Sequence, residues 1–80
     1  MNPYHKNYDQ IRDIALVLAE LRSYSATNNP EDLDRAYLAS YYVKGLQWRA
    51  LLRELVLGKV TLADVTVQLT EELKRLKEGK

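Results

Sequence analysis

The chain contains no cysteine and no phenylalanine, and it holds only one histidine, two prolines and three glycines among its 80 residues. Without cysteine, disulfide scaffolds, thiolate metal sites and thiol nucleophiles are excluded together. His5 is the only imidazole and lies near a terminus. A transition-metal site needs several converging donors, so neither a metal nor any other cofactor is expected. The sparse glycines form no phosphate loop, dinucleotide fingerprint or nucleophile elbow. The longest uninterrupted apolar run covers residues 14–19, far short of the roughly 20 residues that cross a bilayer. Residues 1–6 lack the basic-then-apolar layout of a signal peptide, so no membrane partner is expected and a cytoplasmic location is the default expectation.

Neither sign of charge is in excess. Twelve basic and eleven acidic side chains leave a formal net charge of +1, whereas chains that adhere to nucleic acid by counterion release carry a clear basic surplus. The acidic residues also have an ordinary explanation. Asp9, Asp13, Glu31, Asp32, Asp34, Glu71 and Glu72 occupy helix starts or polar faces, where the helix dipole and solvation favour them.

What is present is helical periodicity, in a length that suits one domain, residues 1–80. Three segments carry it, at about 7–24, 30–57 and 62–78. In the first, Ile11, Ile14, Leu18 and Leu21 share a face and Leu16 points away from it. Asn7 with Gln10 forms an approximate capping box, and Asn2-Pro3 offers an alternative start that would include Tyr4. Residues 25–30 form the main loop. Pro30 then opens the second helix, biasing Asn29 away from helical dihedrals, with Glu31 and Asp32 in the first turn. Gly58 is the expected left-handed terminator. Thr61 caps the third helix, Val60 and Val65 are placed as a hydrophobic staple, and Gly79 ends it.

The expected fold is therefore all-α: a three-helix bundle with antiparallel connections and a long central helix. A continuous central helix is favoured over one kinked or broken at Gly45, because Leu46-Gln47-Trp48 offers no capping residue to start a new one. Such a helix would be roughly 40 Å long, against roughly 26 Å for each neighbour. It also carries two apolar faces. Leu33, Tyr37, Tyr41, Trp48, Leu51, Leu52 and Leu55 make one, and Ala36, Ala39, Val43, Leu46, Ala50 and Leu57 make the other.

Surplus apolar surface and mismatched length point to association. Ala36, Ala39, Val43, Leu46 and Ala50, with the outlying Tyr42, are the expected interaction residues, either as a homodimer seam or as a dock for a partner protein's helix. Six tyrosines and one tryptophan add polar-tipped rings of the kind enriched at interfaces. The expected function is that of a non-enzymatic interaction module: a small regulator, adaptor or inhibitor that docks on a larger protein and is homodimeric. The alternative is a DNA-associated regulator that uses Arg35, Arg49 and Arg53, which fall on one strip of a continuous second helix.

Thr61-Leu62-Ala63-Asp64-Val65-Thr66-Val67-Gln68-Leu69 resembles the opening helix of helix-turn-helix regulators. The resemblance covers nine residues. The family's turn should follow Leu69 and lead to a base-reading helix, but Thr70-Glu71-Glu72-Leu73 continues the helical pattern. DNA reading by that route is not implied.

Overall fold

The pattern of starts and stops resolves into four α-helices in a computed structural model that describes residues 7–78. They are α1 (Tyr8–Thr27), α2 (Pro30–Ser40), α3 (Leu46–Val56) and α4 (Leu62–Lys77). There is no strand among the described residues. Asn2, Pro3, Tyr4, His5 and Gly79 lie outside them. No helix in this range is long and apolar enough to cross a membrane.

The start signals work as chain chemistry dictates, with one exception. Asn29 is extended (φ −81°, ψ 119°) and its side chain accepts from the Glu31 amide at 3.0 Å, just ahead of Pro30. Thr61 likewise accepts from the Asp64 amide at 3.1 Å. The exception is Asn7. It stands at the N-cap of α1 but its side chain makes no capping bond. Instead, its Nδ2 donates to the Leu76 carbonyl at 3.1 Å, tying the start of α1 to the last turn of α4.

Helix α1 runs one turn past the expected stop. Asn28 takes the left-handed conformation (φ 56°) that closes the helix onto the Tyr24 carbonyl at 2.7 Å. The loop is thereby reduced to Asn28 and Asn29. A second closure, at Gly58 (φ 78°), forms a Schellman pair: the Gly58 amide donates to Leu55 and the Lys59 amide to Glu54.

The long central helix is corrected to two. After Ser40 the amides of Tyr41, Tyr42 and Val43 each bond the carbonyl three residues back, a tightening of the α-helical turn. The Ser40 hydroxyl simultaneously donates to the Tyr37 carbonyl at 2.5 Å, which competes with the regular helical ladder. Gly45 then adopts φ 114°, ψ 123°, a region closed to side-chain-bearing residues, and so reverses the chain without a side-chain cap. Helix α3 thus starts without a capping side chain. The break spares the 80-residue fold a rod longer than its neighbours.

Breaking the helix also redistributes its apolar surface. Ala36 and Val43 turn inward with Trp48, Leu52 and Leu55, and join Ile14, Val17, Leu18 and Leu21 of α1 and Val65, Leu69 and Leu76 of α4 in one core. Leu33, Tyr37, Ala39 and Leu51 pack partly buried against it. Two faces that would point oppositely on a straight rod are thus served by one interior.

At the α1–α2 corner, Asp32 is a buried carboxylate. It accepts from Thr27 Oγ1 at 2.7 Å and Ser23 Oγ at 3.2 Å, and pairs with Arg35. Arg35 also meets Glu20 of α1 at 3.4 Å. Together these groups clasp the two helices where a bare carboxylate would be costly to desolvate.

Candidate functional site

Residues left exposed by the core define the site. Leu46 is 75% exposed, Tyr42 77% and Leu57 58%, although all three are large and apolar or aromatic. Leu46 and Leu57 edge a groove of about 460 Å³ that runs along α3 against the end of α2. Its walls also include Tyr37, Tyr41, Arg49, Ala50, Arg53, Glu54 and Lys59.

The geometry of α3 explains which side chains meet there. Leu46, Ala50, Arg53 and Leu57 recur at spacings of four, three and four, one stripe of a helix. Val56, though 41% exposed, lies off that stripe. Ala50 leaves the middle of the stripe shallow. Lys59 joins it only because the Schellman turn at Gly58 folds the chain back over the end of α3.

The aromatic wall is built across the break. Tyr37 and Tyr41, one helical turn apart, meet edge-to-face with centroids 5.3 Å apart and phenol oxygens hydrogen-bonded at 3.1 Å. That hydrogen bond, followed by partial burial, raises the Tyr37 pKa above its ordinary 10.0, so the phenol stays neutral. The Arg49 guanidinium lies over the Tyr41 ring at 4.0 Å, and its Nη2 makes a long 3.5 Å contact to the Tyr41 carbonyl. Its Nε is buried with no acceptor.

Charge in the groove is one-sided. Three cations, Arg49, Arg53 and Lys59, face one carboxylate, Glu54. Among the described residues none of these three cations forms an ion pair, in contrast to Arg12, Arg35 and Arg75, which do. A second depression of about 380 Å³ lies between α1 and α4, lined mainly by Leu21, Leu62, Ala63, Thr66 and Val67 with Arg22 at its side. It lacks comparable charge.

The residues expected from sequence are divided by the fold. Leu46 and Ala50 line the groove, and Tyr42 is exposed beside the break. Ala36 at 0% exposure and Val43 at 6% belong to the core, with Ala39 half-buried against it. The small-residue flank is thus already covered by the chain itself, which removes the physical reason for expecting a partner helix there. The arginine strip also separates. Arg35 is held by Asp32 and Glu20, while Arg49 and Arg53 stand on a different helix.

Lys59 has no signal in the sequence that would mark it, since its place depends on the Gly58 turn, whereas Glu54 lies one helical turn after Ala50 within α3 and could have been found by spacing. Among the described residues no three of histidine, cysteine, aspartate and glutamate converge as a metal site would require. No protein-family model matches the sequence, and neither a curated protein nor a solved structure shows significant similarity to it.

Proposed function

We propose that this chain is a non-enzymatic protein-interaction module, a small regulator or adaptor that docks on a larger protein through the α2–α3 groove. The observation that carries the reading is the exposure of Leu46 and Leu57 beside an ordered Tyr37–Tyr41–Arg49 wall. Exposed leucines scattered singly need no explanation, but here they edge a concave surface of tyrosines and arginines, the residue types enriched at interface hot spots. The groove's polar groups are cations, phenols and one carboxylate. They suit recognition better than nucleophilic or acid–base chemistry, which needs a nucleophile and base within hydrogen-bond reach.

A homodimer built on this groove is the weaker form of the reading. In a two-fold interface the same patch faces itself, which brings Arg49, Arg53 and Lys59 toward their own copies. A nucleic-acid role draws on Arg49 and Arg53 but leaves Leu46 and Leu57 wet against a phosphate backbone, in a chain whose net charge is only +1.

The test compares affinity capture by the unaltered chain, by Leu46→Glu and by Leu16→Glu, the last an exposed leucine of α1 outside the groove. A partner retained by Leu16→Glu and lost with Leu46→Glu is the expected result. Capture that is the same for all three, or no partner at all, sinks the reading.

A further inference from the structure

We propose that the occupant of the α2–α3 groove is an acidic amphipathic helix of a partner protein. It would lay its apolar ridge on Leu46, Ala50 and Leu57 and turn its carboxylates toward Arg49, Arg53 and Lys59. This rests on the docking function proposed above and adds the chemistry of the partner.

Three observations select that occupant. The first is the shape of the stripe. From Leu46 to Leu57 the groove follows one face of α3 for about 16 Å at 1.5 Å per residue, or about three turns of a helix lying alongside. Ala50 sits near its middle, where a small side chain lets two helices approach closely. An extended peptide is a poorer match. No strand exists among the described residues to pair with its backbone, whereas a helix brings its own hydrogen bonds satisfied.

The second is charge. The groove's three cations find no carboxylate of the chain within ion-pair distance among the described residues, and Glu54 is the only acid on its walls. Carboxylates at the flanks of an incoming helix would complement Arg49, Arg53 and Lys59, while a basic helix would meet repulsion from all three.

The third is the state of Arg49. Stacked over Tyr41, its guanidinium is held in one orientation by the ring rather than by an acid. Its charge is therefore positioned on the groove wall without an acidic partner, where a carboxylate of an incoming helix can meet it.

The test uses a displayed library of random peptides, each about four helical turns long, selected on the full chain. Selected peptides are expected to be rich in aspartate and glutamate, with leucine or aromatic residues at three- and four-residue spacing. Synthetic copies are expected to bind at least about tenfold more weakly to Leu46→Glu and to Arg53→Glu, and unchanged to Leu16→Glu. Circular dichroism of each variant confirms that it stays folded, and a copy with its acidic residues changed to lysine is expected not to bind.

Neutral or basic peptides that still depend on Leu46 would overturn the acidic assignment and leave groove docking standing. Peptides indifferent to Leu46→Glu would overturn both. An empty selection overturns the helix as occupant, while the capture experiment independently decides docking. Tighter binding of a labelled DNA duplex than of the best peptide would replace the protein partner with nucleic acid.

Discussion

Arg49 lies with its guanidinium 4.0 Å from the centre of the Tyr41 ring, so the first turn of α3 is pinned to the C-cap residue of α2. The contact crosses residues 41–45, which connect two helices that a straight reading would merge. One cation–π contact thereby stabilises the bend and also shapes the groove. At a partly exposed site it contributes about 0.5–1 kcal/mol. A double-mutant cycle with Arg49→Met and Tyr41→Leu, followed by urea denaturation, is expected to show a coupling of that size. A coupling near zero would mean that the two side chains are merely neighbours.

The bend itself is tested by Gly45→Ala. A Cβ at this position would approach the Gln47 side-chain oxygen to 2.8 Å, but that flexible group swings away, so the penalty is backbone strain at φ 114°. The expected loss is about 1–3 kcal/mol, a clear fall in melting temperature for a domain of this size. Were α2 and α3 one continuous helix in solution, alanine would instead stabilise it by about 1 kcal/mol. The sign of the change decides between the two.

Much of the fold was legible because the relevant signals are local. Asn29-Pro30 and Thr61 cap their helices through their own hydroxyl or amide oxygens, and Gly58 ends α3 in the left-handed region. The break at 41–45 was only partly legible: Gly45 marks where the helix could end, but nothing in helix propensity opposes Tyr41, Tyr42 or Val43 strongly and no capping residue follows to favour a restart. It follows from tertiary burial of Ala36, Val43 and Trp48 in a shared core. The groove was half visible for the same reason. Leu46, Ala50, Arg49 and Arg53 could be singled out by spacing, but which apolar face remained outside depended on where the helix bent.

Core and groove leucines should respond to truncation by very different amounts. Leu52 is fully buried and Leu46 is exposed. Leu52→Ala is expected to cost about 2–5 kcal/mol, a large part of the roughly 4–12 kcal/mol available to a chain this short. Leu46→Ser is expected to stay within about 0.5 kcal/mol of the parent. Thermal melts of both variants check this. A Leu46→Ser loss comparable to that of Leu52→Ala would make Leu46 a structural residue and remove it from the docking surface.

Asp32 is expected to contribute acid sensitivity to the fold. Hydrogen bonding from Thr27, opposed by desolvation and reinforced by Arg35 and Ser23, lowers its pKa below the ordinary 3.8. A depressed carboxylate contributes stability that is present above its unfolded value and lost as pH falls through its folded value. Between neutral pH and about pH 3, melting temperature should therefore fall more steeply for the unaltered chain than for Asp32→Asn, with the difference concentrated below 3.8. Parallel curves would show that the α1–α2 clasp does not depend on the Asp32 charge.

Asn7 separates the capping role that its position suggests from the role its side chain has in the structure. As a cap, aspartate would serve at least as well as asparagine, and its charge would favour the helix N-terminus. As a donor to the Leu76 carbonyl at 3.1 Å, aspartate fails, because an ionised carboxylate has no N–H to give and would face a carbonyl oxygen. The structure therefore requires Asn7→Asp to destabilise, by roughly 0.5–1.5 kcal/mol for the lost hydrogen bond, measured by urea denaturation near neutral pH. A gain in stability would show that Asn7 acts on α1 alone and that the last turn of α4 is held by Leu76 packing in the core.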